Sequence, residues 1–84
     1  MSIKKTDLAH FFRTYYRYQR AGITTHAFLD MYSASCNNSE FLSVIDTIRK
    51  DMKLGSSFAD ALRKHSIFPQ YVIEMISVGE ISSM

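Results

Sequence analysis

Tryptophan is absent from this chain, and proline, cysteine and glycine are scarce, at one, one and three among 84 residues. So few turn formers argue against a fold of many tight turns and for helices joined by short connections. The single cysteine, Cys36, forms no disulfide within the chain and suits a reducing compartment. No apolar run approaches the roughly 18–20 residues of a membrane span. The polar, basic start from Met1 to Thr6 leads into no apolar signal core. A soluble chain is therefore expected, whatever follows Met84 in the gene.

Patterns that carry chemistry are missing too. His10, His26 and His65 fall on three different helices or helix ends, with no HExxH pair and no cysteine spacing for zinc. Gly22, Gly55 and Gly79 are too far apart to form a phosphate loop. Ser56-Ser57 and Ser82-Ser83 read as a helix cap and a fraying end. Cys36 has no flanking cation and no helix N-terminus to lower its pKa. Asp46 and Asp51 share a helix but stand about 140° apart around it, and no EF-hand pattern is present. A calcium site would have to be assembled from two helices or two subunits. No catalytic residue, cofactor or metal is expected, and function must be read from architecture and surface.

What is present suits a small globular domain. Apolar residues make up 46% of the chain, and five Tyr and six Phe supply bulky core material. A chain this short makes one domain at most and buries only about 60–65% of its unfolded surface. The net charge of +2 hides an asymmetry. Residues 1–22 carry Lys4, Lys5, Arg13, Arg17 and Arg20 against Asp7, or +4, while the remainder carries five basic and seven acidic residues, or −2.

Periodicity places five helices. The first is expected from about Asp7 to Ala21, capped by Thr6, with Leu8, Phe11, Phe12, Tyr15 and Tyr18 on one arc of about 120°. Gly22 is expected to stop it with positive φ. The second should start at Thr24 or Thr25 and end near Cys36, burying Ala27, Phe28, Met31 and Tyr32. Asn37-Asn38 is a loop and a new cap. The third should run from Ser39 to Leu54, with Phe41, Leu42, Ile45, Ile48 and Met52 inward, and Gly55 should end it. Ser57 with Asp60 resembles a capping box ahead of a short fourth helix, Phe58 to His65, burying Phe58, Ala61 and Leu62. Pro69 suits the first turn of a fifth helix that buries Val72, Met75, Ile76 and Gly79.

Two surface features stand out. Arg13, Arg17 and Arg20 gather opposite the apolar arc of the first helix, with Tyr16 beside them. Such a stripe is a solvated face, a protein-docking surface, or a nucleic-acid site of interleaved cations and aromatics. The weak overall charge argues against the last, since phosphate binding rests on many cations. The second feature is Gly79-Glu80, late in an apolar helix. Glycine there costs about 1 kcal/mol relative to alanine and is tolerable where another helix crosses closely. Glu80 is then an acceptor inside the domain or an interface residue.

Five motifs in fixed order carry a resemblance. Phe11-Phe12-Arg13, Ala21-Gly22-Ile23, Gly55-x-Ser57-Phe58-x-x-Ala61-Leu62, Phe68-Pro69 and Val78-Gly79-Glu80 resemble the repeated cytoplasmic domain of the type II secretion system F family. These are inner-membrane platform proteins of type II secretion and type IV pilus assembly. The resemblance spans Asp7 to Glu80. Thr24 stands where the family usually has proline, Tyr15, Tyr16 and Tyr18 replace leucines, and Ile81-Ser82-Ser83 replaces a Ser-Gly pair, which suggests a divergent, pilus-type member.

The resemblance implies an all-α fold: an antiparallel helical bundle of about six helices. Only five are legible, so the last is expected to be truncated or missing. It implies a single cytoplasmic domain over residues 1–84, a fragment of a longer polytopic protein of the bacterial inner membrane. It implies no catalysis, no cofactor, and docking to the hexameric assembly ATPase and other inner-membrane assembly proteins. The partner-binding candidates are Arg13, Tyr16, Arg17 and Arg20, with Glu80 second. With one helix missing, Val72, Met75, Ile76 and Gly79 are expected to form a self-association interface, with Ile81 on the same flank. The alternative is a small helical nucleic-acid-binding module using the basic face of the first helix.

Overall fold

Local capping explains where each helix begins and ends. The computed structural model describes residues 3–82. Ser83, half of the expected fraying end, lies outside them. Among the described residues there are five helices and no strand, so the chain is all-α: α1 Lys5–Arg20, α2 Thr25–Ser35, α3 Ser39–Lys53, α4 Phe58–Arg63 and α5 Gln70–Ser82. They form two compact units, one ending at Arg49 and the other beginning at Lys50, a boundary that falls within α3.

In the first unit α1 starts two residues earlier than expected. Thr6 is not its cap. Lys4 is, because its backbone N–H donates to Asp7 Oδ2 at 2.9 Å. A carboxylate in the third helical position satisfies that donor and favours the positive helix end. Gly22 stops α1 with φ +85°. Gly22 N–H donates to Gln19 O and Ile23 N–H to Tyr18 O, both at 3.0 Å, the paired bonds of a Schellman ending. A Cβ at Gly22 would meet no atom within 4 Å, so a β-branched residue would be disfavoured by backbone strain alone. Thr24 caps α2 by accepting from Ala27 N–H, and Asn38 Oδ1 caps α3 by accepting from Phe41 N–H, both at 3.1 Å.

The buried side chains of this unit are Phe11, Phe12, Tyr15, Phe28, Leu29, Phe41, Ile45 and Ile48. Phe11 is the hub of an aromatic cluster. Its ring centre lies 5.1–5.4 Å from those of Phe12, Phe28, Tyr32 and Phe41, at tilted or edge-on angles. On α2 the expected stripe is corrected: Leu29 is buried, whereas Met31 is 49% exposed.

In the second unit Gly55, at φ +109°, ends α3 with the same Schellman bonding, Gly55 N–H to Met52 O and Ser56 N–H to Asp51 O. Ser57 caps α4 by accepting from Asp60 N–H at 3.1 Å. The Asp60 carboxylate accepts instead from Arg63, at 2.8 Å. Pro69 precedes α5 rather than sitting in its first turn, and its carbonyl accepts from Val72 and Ile73 N–H. Phe58, Ala59, Ala61, Leu62, Phe68, Ile73 and Ile76 are buried, and α5 packs on α4.

The inward face of α5 differs from the expected one. Ile73 and Ile76 point in, while Tyr71, Met75, Val78 and Ile81 are each more than half exposed. Ile76 is therefore core, not interface. A Cβ on Gly79 would meet nothing within 4 Å, so the close helix crossing expected there is absent among the described residues.

Candidate functional site

The basic face of α1 is assembled by helical spacing alone. Arg13, Arg17 and Arg20 follow one another at intervals of four and three residues, and Tyr16 lies three residues after Arg13 and four before Arg20, which places them side by side on one surface. They line a single open groove of about 340 Å³. The three guanidinium groups are exposed and Tyr16 is half-buried. The Tyr16 hydroxyl is shielded from solvent without a hydrogen-bond partner, and burial raises its pKa above the usual phenol value. Its ring packs edge-on against Tyr15, with centres 5.1 Å apart. The opposite side of the same helix carries Phe11, Phe12 and Tyr15 into the core, so the groove stands on a rigid base.

Glu80 is placed elsewhere. Its Oε2 accepts from Phe58 N–H at 2.9 Å and its Oε1 from Ala59 N–H at 3.1 Å. The carboxylate of α5 thus holds the start of α4, the acceptor role inside the domain.

Among the described residues no three His, Cys, Asp or Glu side chains converge. One pairing was not foreseen: His10 Nδ1 lies 2.7 Å from the Tyr32 hydroxyl. Burial, then the nearby Cys36 and Asp7, push the Tyr32 pKa up to about 12. These side chains border a cleft of about 250 Å³ with Asn37 and Asn38. Twenty-two positions separate His10 from Tyr32, and no local pattern marks such a contact. The apolar strip of Tyr71, Met75, Val78 and Ile81 is the remaining surface feature, and no described helix is long and apolar enough to cross a membrane.

A family model described as type II secretion system (T2SS), protein F matches residues 11–84. The type IV pilus assembly protein PilC of Thermus thermophilus is 32% identical over 76 residues, covering 90% of this chain and 19% of that protein. PilC of Myxococcus xanthus is 26% identical over 83 residues, covering 98% and 20%. PilC of Pseudomonas aeruginosa is 29% identical over 80 residues, covering 95% and 21%. The chain thus spans about a fifth of the length of these relatives.

Proposed function

Because this chain belongs to the type II secretion system protein F family, we propose that it is a non-enzymatic cytoplasmic scaffold domain of an inner-membrane platform protein in type IV pilus assembly or type II secretion. Its membrane attachment would come from segments outside this chain. Its partners would be the hexameric assembly ATPase and other inner-membrane assembly proteins. The mechanism is mechanical coupling. The ATPase grips a rigid helical body, and the attached membrane part moves or presents pilin subunits.

The observation that carries this reading is the arginine face of α1, exposed and backed by core aromatics. Arg13→Glu with Arg17→Glu is expected to weaken association with the cognate ATPase about tenfold or more. The melting temperature should stay near that of wild type, since both side chains are exposed. Pull-down and calorimetry of the double variant decide the matter. Unchanged ATPase affinity would refute the docking role. Tight binding of a random DNA duplex at physiological salt would favour the nucleic-acid alternative instead.

Self-association is proposed through α5, with Met75, Val78 and Ile81 in place of Ile76. Apolar strips of this kind find partners, and a symmetric pair is the simplest closed solution. Wild type is expected to sediment as a dimer at high micromolar concentration, and Met75→Lys with Val78→Lys as a folded monomer. A wild type that stays monomeric there refutes the interface.

A further inference from the structure

The arginines of α1 differ from the others in the chain. Arg49 holds Asp30 and Asp46, at 2.6 and 3.1 Å, and Arg63 holds Asp60 and Glu74, at 2.8 and 3.2 Å. Arg13, Arg17 and Arg20 have no ion pair among the described residues. The groove they share with Tyr16 contains no carboxylate. Like charges three and four residues apart on a helix repel one another. With no counter-ion among the described residues, the three charges face solvent and are open to an anionic partner.

We propose that the α1 groove takes an acidic segment of a partner protein, a stretch with two or three Asp or Glu side chains on one face. The proposal rests on the reading of α1 as a docking surface and names the chemistry it recognises. Planar guanidinium forks bind carboxylates through paired hydrogen bonds. Three such forks in one groove match carboxylates spaced along a peptide.

Other anionic surfaces fit less well. A membrane surface would call for apolar side chains beside the cations. Among the described residues, none of the exposed large apolar side chains lies on α1, and the nearest to the stripe, Met31, borders a separate cleft with Arg17. A nucleic acid is held through about 6–10 phosphate contacts in proteins that bind it strongly. This face offers three cations.

The test is an NMR titration of the 84-residue chain with a glutamate octapeptide. Shifts are expected at Arg13, Arg17, Arg20 and Tyr16. Arg13→Glu with Arg17→Glu should weaken peptide binding at least tenfold. Lys50→Glu with Lys53→Glu makes the same change in net charge on the last turn of α3 and should stay within about twofold of wild type. Equal losses in the two variants would mean attraction by net charge alone and would overturn the proposal. So would tighter binding, through the same arginines, of phosphatidylglycerol vesicles or of a DNA duplex. The ATPase measurement separates the two readings. If reversing the arginines abolishes ATPase association while the peptide never binds, docking stands and acidic recognition fails. If the peptide binds the groove and ATPase association is indifferent to the arginines, acidic recognition stands and that docking role fails.

Discussion

Phe11→Ala is expected to destabilise the protein by about 3–5 kcal/mol, the usual cost of deleting a buried aromatic ring. Phe11 is fully buried and lies at ring-contact distance from Phe12, Phe28, Tyr32 and Phe41, so the cavity opens among large flat rings from all three helices of the first unit. Edge-on rings are held by their neighbours' faces and cannot collapse into the void without losing those contacts. Small domains have roughly 5–15 kcal/mol in total, so the variant should be largely unfolded well below the wild-type melting temperature. Phe11→Leu keeps most of the volume and should lose about half as much. Urea denaturation followed by circular dichroism measures both. A Phe11→Ala variant within about 1 kcal/mol of wild type would show that Phe11 is not the hub.

The amphipathic helices were legible in the sequence and the uniformly apolar ones were not. On α1 and α3 the apolar residues keep to one side, and Phe11, Phe12, Tyr15, Phe41, Ile45 and Ile48 all lie where periodicity puts them. On α5 the segment Val72-Ile73-Glu74-Met75-Ile76-Ser77-Val78 is apolar almost all round, so spacing does not choose a face. Packing on α4 chooses Ile73 and Ile76, leaving Met75 outside. Leu29 was missed for the same reason, on a helix with weak sidedness. Helix ends were legible where glycine or a hydroxyl residue marks them, as at Gly22, Gly55, Thr24 and Ser57. The start of α1 was not, because Thr6 was a plausible cap and the decisive bond runs from a lysine backbone to Asp7.

The candidate site divides along similar lines. Arg13, Tyr16, Arg17 and Arg20 form one surface through local helical geometry, so sequence spacing was enough to gather them. That these arginines have no ion pair among the described residues while Arg49 and Arg63 each hold two carboxylates depends on contacts from 3 to 19 positions away. The Arg49–Asp46 and Arg63–Asp60 pairs follow helical spacing, but the Arg49–Asp30 and Arg63–Glu74 pairs, 19 and 11 positions apart, leave no periodic trace.

Glu80 is the residue outside the aromatic core whose loss should cost most. A helix begins with N–H groups that have no partner within it. In α4 these are supplied one by one. Phe58 and Ala59 donate to Glu80, Asp60 donates to Ser57 Oγ, and Ala61 makes the first helical bond, to Ser57 O. Phe58 and Ala59 are at most 1% exposed, so water is poorly placed to replace the carboxylate. Glu80→Ala takes the carboxylate away from the Phe58 and Ala59 N–H groups and removes the polar link from α5 to the start of α4. Hydrogen bonds to a charged group contribute about 1.5–3 kcal/mol each, and the two here act together, so a total loss of about 2–4 kcal/mol is expected. Glu80→Gln keeps the shape but offers one acceptor and turns an amide donor toward the second N–H. It should lose about half as much. Ser57→Ala removes the neighbouring cap and should cost about 1 kcal/mol. The ordering Ala at 80, then Gln at 80, then Ala at 57 is the result to check by thermal and urea denaturation. If Glu80→Ala is no worse than Ser57→Ala, the bridge from α5 to α4 is not what holds the second unit together.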